Sequence, residues 1–142
     1  MEIQIVTSTS EELWEALQKL VPMLTSAHPA PSPEELADLV KSDSSIMLAA
    51  RGEQNRIVGT ACLTVYRVPT GMRAIVEDVI VDESARGKGI GEALVRRCLE
   101  IARERGAPGV SLTSNPRREA ANRLYLRIGF ERRQTNPYYF RF

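Results

Sequence analysis

The sequence predicts an α/β domain in which a mixed, mostly antiparallel central sheet with one parallel strand pair carries helices on both faces. Two patterns point there. Three successive apolar stretches joined by short turns imply an antiparallel meander. A strand, a glycine-rich turn, an amphipathic helix and a further short strand then follow one another, which sets the two outer strands parallel through a crossover. At 142 residues the chain fits one domain, residues 1–142, able to bury about 70% of its unfolded surface around a single core.

The elements are justified in order. Residues 2–7 alternate like a strand. Ser10 then caps a helix whose stripe is Leu13, Leu17, Leu20, Val21 and Leu24, and Pro22 predicts that this helix bends or ends early. Ser26 to Pro33 is a Pro-rich loop. Ser32-Pro33-Glu34-Glu35 places a cap, a first-turn proline and two acids at the start of a short helix over 33–41. Ser45–Ala50 and Ile57–Arg67 are strands joined through Arg51–Arg56, and Pro69-Thr70-Gly71 turns the chain into the strand Ile75–Val81. A helix runs from Ile90 to about Arg105, with Ile90, Leu94, Cys98, Ile101 and Ala102 on one stripe, until Gly106–Gly109 stops it. Val110–Thr113 is a short strand parallel to Val76–Val81, and Arg118–Ile128 is the last helix, with Gly129 as C-cap. Phe130–Arg133 and Tyr138–Phe142 are expected as final antiparallel strands. That aromatic last strand either pairs across a homodimer or closes the sheet.

Composition narrows the class. A net charge of +1 gives no global attraction to nucleic acid or membrane, and no apolar run approaches the roughly 20 residues of a membrane span. The arginine pairs Arg96-Arg97, Arg117-Arg118 and Arg132-Arg133 read as solvated faces. Cys62 and Cys98 read as buried reduced thiols, and with an N-terminus unlike a signal peptide the expectation is a cytoplasmic protein. His28 is the only histidine; without spaced partners it makes no metal site.

The chemistry is organised by Ile75 to Glu92. Asp82-Glu83-Ser84-Ala85 leads out of the strand into Arg86-Gly87-Lys88-Gly89-Ile90-Gly91, where the helix begins. Glycines at alternate positions keep side chains away from the backbone N–H groups. The helix directs its positive end at the same point, and Arg86 and Lys88 add full charges, so a phosphate or pyrophosphate is the natural guest. The spacing fails the dinucleotide fingerprint and the P-loop. It matches Arg-x-x-Gly-x-Gly, and here the chain resembles the GNAT family of N-acetyltransferases, whose acetyl-coenzyme A motif has this form. A second resemblance lies in Asn115–Phe130, where an asparagine precedes Ala-x-x-x-Tyr and Gly-Phe.

The resemblance implies the GNAT acyl-transferase fold and acetyl-coenzyme A as cosubstrate. It implies that backbone groups of Val79 and Val81 pair with the pantetheine arm, that Arg86, Gly87, Lys88, Gly89, Ile90 and Gly91 hold the pyrophosphate, and that Asn115 and Asn122 contact the arm further in. Tyr125 matches the tyrosine that protonates the departing thiolate; a phenol of pKa about 10 is neutral at pH 7 and suits that role. It is otherwise a packed aromatic, as Asn122 is otherwise a helix-surface amide.

An amine of pKa near 10 must lose a proton before or during attack. Glu77 is the candidate base, because an acid in so apolar a strand is either used or paired; a paired structural carboxylate is the alternative. Strand alternation places Glu77 on the face of Val79 and Val81. No cysteine is placed for a covalent acyl-enzyme, which favours direct transfer. The expected acceptor is a small-molecule or peptide amine. Glu77-Asp78 before Val79 also resembles the hexosamine-phosphate acetyltransferases, without choosing a substrate. A coenzyme A sensor without turnover is the competing function.

Overall fold

A computed structural model describes residues 1–142. Four strands, β1 (Glu2–Ile5), β2 (Ser45–Arg51), β3 (Ile57–Val68) and β4 (Gly71–Val81), form an antiparallel sheet in chain order. Four helices accompany it: α1 (Glu11–Leu24), α2 (Pro33–Lys41), α3 (Ile90–Glu104) and α4 (Glu119–Ile128). Strand alternation decides which helices cover which face. Ile46, Leu48 and Ala50 of β2 point one way, into a cluster with Ala61, Leu63, Ala74 and Val76 of the sheet and Leu94, Val95, Cys98 and Ile101 of α3. Met47 points the other way, against Leu13 and Leu17 of α1 and Leu36 of α2. Each of these buried leucines adds about 1.5–3 kcal/mol relative to an exposed one.

Local chemistry sets the helix ends. Ser10 Oγ accepts from Leu13 N, and Ser32 and Glu35 form a reciprocal capping box at α2. Of the bend or early end expected at Pro22, the early end is not found: Pro22 lies inside α1 and the helix continues to Leu24. Proline costs only the one bond to the Gln18 carbonyl, and Thr25 N still closes the last turn on Val21 O at 3.1 Å. Trp14 Nε1 and Gln18 Nε2 both donate to Pro31 O at 3.1 Å, tying the α1–α2 connection back onto α1.

The parallel pairing is present but shorter than expected. Val110–Thr113 forms no extended strand; Ser111 alone bridges Ile75, through Val76 N to Ser111 O and Ser111 N to Ala74 O, both 3.0 Å. Beyond that bridge residues 77–81 and 112–115 exchange no backbone bonds, and the two segments part. The final strands at Phe130–Arg133 and Tyr138–Phe142 are absent. Aromatic residues make a strand only when a ladder partner is present, and residues 131–142 lie exposed with no strand of this chain beside them. Both cysteines are free; burial pushes the Cys62 thiol up to about 11 and the Cys98 thiol up to about 12, so both are unreactive at neutral pH.

Candidate active site

A crevice of about 320 Å³ opens where β4 and residues 112–115 part. One wall is β4 from Val76 to Val79, the other is Leu112 to Asn115, and Arg118 and Tyr125 of the α4 region lie over it. Leu24 at the end of α1, with Thr25 and His28 of the α1–α2 connection, closes the third side. A larger hollow at residues 132–136 is lined by that single segment and has no apolar wall.

A bulge shapes β4 here. Thr60 pairs with Ile80 but Cys62 pairs with Glu77, so Ala61 faces two residues, and Asp78 takes a left-handed φ of 50°. The extra residue shifts the strand's parity. Ala74 and Val76 share the α3-side core with Val79, which leaves Glu77 on the opposite face from Val79 and Val81, not on the same face as simple alternation had it. The left-handed turn at Asp78, a conformation that aspartate adopts more readily than most residues, leaves Glu77 exposed beside the crevice while Val79 stays buried. Desolvation, with Asp78 next to it, raises the Glu77 carboxyl above its usual range.

Tyr125 is 6% exposed and packs edge-on against Phe130, with ring centroids 5.8 Å apart. Burial raises its phenol, and the Arg118 guanidinium acts the other way. Ser114 Oγ is buried at the same wall and has no hydrogen-bond partner. A buried orphan hydroxyl costs about 1–3 kcal/mol, which is tolerable where a ligand's polar group completes it.

Residues 86–91 form a cradle at the start of α3. Gly87 and Gly89 have φ of 77° and 78°, and nothing lies within 4 Å of where a Cβ would stand. Gly89 caps α3 without any side-chain bond, so the first-turn N–H groups face outward unclaimed. Ile90 is buried and contributes only backbone, while Gly91 already lies inside α3, where a Cβ would meet only Leu124 and Val81 at ordinary distance. Glu92, the one acid in that turn, is neutralised by Arg96 (2.9 Å) and Arg127 (3.2 Å). Arg86 folds back to donate from Nε to Val81 O at 3.2 Å, and Lys88 lies 3.6 Å from Glu53.

Asp82 fixes where the cradle starts. Its buried carboxylate accepts from Ser84 N (2.9 Å) and Ser84 Oγ (2.7 Å) and pairs with Lys19 of α1, which holds it down at about 2. Asp82 N also donates to Val58 O at 2.8 Å. Asn115 and Asn122 build the turn into α4: Asn115 Oδ1 accepts from Arg117 N, and Asn122 Nδ2 donates to Asn115 O. Asn115 lines the crevice and Asn122 does not.

Three contributors had no sequence signal or a misread one. Thr25 and His28 carry no motif. Arg118 was grouped with a solvated pair, although it lies seven residues, two helical turns, before Tyr125 and so on its face.

The crevice where β4 parts from residues 112–115 and the glycine cradle at the start of α3 lie in a chain whose relatives are acetyltransferases. The chain belongs to the GNAT acetyltransferase family, whose model matches residues 10–130. It is 38% identical over 115 residues to the probable glucosamine 6-phosphate N-acetyltransferase 2 of Oryza sativa subsp. japonica, covering 77% of this chain and 66% of that protein. It is 41% identical over 78 residues to glucosamine 6-phosphate N-acetyltransferase of Trypanosoma brucei brucei, covering 53% and 51%. Among solved structures, a Trypanosoma brucei acetyltransferase superposes with a TM-score of 0.78 at 28% identity over 98% of both chains. An aminoglycoside acetyltransferase from a soil metagenome, at 19% identity and a TM-score of 0.85 over 99% of this chain and 95% of that one, shows the fold alone. The chain spans roughly half to two thirds of the length of the curated relatives it matches.

Proposed function

We propose that this chain is an N-acetyltransferase that moves an acetyl group directly from acetyl-coenzyme A to a primary amine. The observation that carries the reading is the pairing, across one crevice, of a buried phenol, Tyr125, with a carboxyl of raised proton affinity, Glu77. The left-handed glycines, the outward N–H groups of α3 and the unpartnered Ser114 hydroxyl fit a pyrophosphate and its polar arm. Acetyl-coenzyme A, when bound, supplies the acetyl group as a thioester.

The chain's own part is to hold and move protons. Glu77, ionised above its raised pKa, takes one proton of the ammonium through water. As the carbon–nitrogen bond replaces the carbon–sulfur bond, Tyr125 gives its hydroxyl proton to the leaving sulfur and regains the second proton that the nitrogen sheds. The acid pair Glu77 and Asp78 favours a cationic acceptor, and the crevice volume favours a small one. Relatives named for glucosamine 6-phosphate support an amino sugar among such acceptors. The test is thiol release from acetyl-coenzyme A across a panel of amines, with Tyr125→Phe as control. Turnover should fall by about 10²-fold or more in the variant while coenzyme affinity stays within about twofold; an unchanged rate removes the acid role.

A further inference from the structure

Arg118 reaches across the crevice, and neither the family motif nor the packing of α4 requires it to. Its backbone starts α4, donating from N to Asn115 O at 3.0 Å and accepting at O from Asn122 N at 2.9 Å. Its side chain leaves that turn and extends to the opposite wall, where Nη2 stands 3.5 Å from Val79 O on the edge of β4 that no strand covers. Its neighbour Arg117 takes no part in the crevice. The carbonyl it touches is one that an extended ligand lying along β4 would use. The contact is long, and a bond of that length is worth less than the roughly 1 kcal/mol of an ordinary one, so it exchanges readily.

Resting on the acid role of Tyr125 argued above, we propose that Arg118 is a positioning residue released by the coenzyme. In the free protein its guanidinium is shared between the Val79 carbonyl and the Tyr125 phenol, whose proton affinity it already lowers. When an amide N–H of the pantetheine arm takes that carbonyl, the guanidinium is left to the phenol alone, lowers its proton affinity further and faces the charge that develops on the leaving sulfur. Arginine suits the exchange: it is always charged, and its five donors let it give up one partner for another without being left dry.

The groups around Tyr125 leave this duty to Arg118. From β4 come Glu77 and Asp78, both acids that would raise a phenol; from the α1–α2 connection comes His28; residues 112–115 bring no titratable group. The core it shares with α3 holds Ile90, Leu94, Val95, Cys98, Ile101 and Ala102, of which only Cys98 titrates, and burial keeps that thiol neutral. Arg118 is thus the one fixed cation lining the crevice, and it is the group that already opposes the effect of burial on Tyr125.

The test reads the phenol itself. Tyrosine ionisation is followed by ultraviolet absorbance in the wild type, Arg118→Met and Arg118→Lys, each with and without desulfo-coenzyme A, which carries the pantetheine amides but no thiol. The Tyr125 signal is isolated by difference from Tyr125→Phe. Desulfo-coenzyme A should lower the Tyr125 midpoint in the wild type by about half a pH unit or more. It should not do so in Arg118→Met, and Arg118→Lys should restore part of the shift. Desulfo-coenzyme A affinity in Arg118→Met should be equal to or up to a few-fold tighter than in the wild type, since the carbonyl's tenant is gone. An equal midpoint shift in wild type and Arg118→Met, or a tenfold loss of affinity, would overturn the proposal. In turnover, Arg118→Met should cost about 10-fold in kcat in the wild type and nothing further in Tyr125→Phe. Because the titration needs no acceptor, a chain that acetylated no amine would sink the activity while the midpoint still decided the role of Arg118.

Discussion

Replacing Asp82 with asparagine removes the charge that ties α1 to the start of the cradle while keeping the side chain's shape. In the folded protein Lys19 and the Ser84 N–H and hydroxyl lower this carboxyl from 3.8 to about 2. Nearly two units at about 1.4 kcal/mol each gives an upper figure of about 2.5 kcal/mol. Lys19 is 64% exposed, so water screens its share, and about 1–2 kcal/mol is expected. For a chain of this length that corresponds to a fall in Tm of roughly 3–8 °C. The pH dependence gives the sharper reading. A depressed carboxyl pKa contributes stability that is fully present above the unfolded value near 4 and is lost as pH falls through the folded value near 2. Urea unfolding at intervals from pH 7 to pH 2 should therefore show wild type and Asp82→Asn apart at neutral pH and converging between about pH 4 and pH 2. A gap that stayed constant to pH 2 would refute the argument, because the stability would then come from packing and not from charge.

Other outcomes follow from single contacts. Gly89→Glu puts a side chain at a φ of 78° and a negative charge at the mouth of the cradle, so calorimetry should find coenzyme A binding lost by 10²-fold or more, by about 3 kcal/mol, with the fold intact by circular dichroism. Glu77→Gln should lower kcat and abolish the acid limb of its pH profile, which in the wild type lies above 4.5 because burial raises the carboxyl; a limb that survives the substitution assigns the base elsewhere. The same raised pKa means the ionised carboxylate opposes folding at neutral pH, so Glu77→Gln should not destabilise the protein. Gly59 lets α3 approach the sheet so closely that a Cβ would stand 3.1 Å from Ile80 O and 3.2 Å from Ile90 and Leu94 side-chain atoms. Gly59→Val should cost about 1–3 kcal/mol in urea unfolding and weaken coenzyme binding by displacing the start of α3.

What the sequence determined by itself is the periodic and the local: the capped α1 and α2, the meander β2–β3–β4, the stripe of α3, and the cradle glycines Gly87 and Gly89. Each follows from a spacing or a backbone requirement carried by neighbouring residues. Tyr125 was legible for a similar reason, as one position in a contiguous helix motif. Tertiary structure decided the rest. The face of Glu77 turned on one unpaired residue at Asp78, since a bulge reverses a strand's parity and depends on how the partner strand runs opposite it. Arg118, His28 and Thr25 became site residues only when a helix start and a connection from distant parts of the chain met β4 at one crevice. The aromatic tail shows the converse: Tyr138 to Phe142 have the composition of a strand, but a strand exists only where another backbone offers its hydrogen bonds, and none does here.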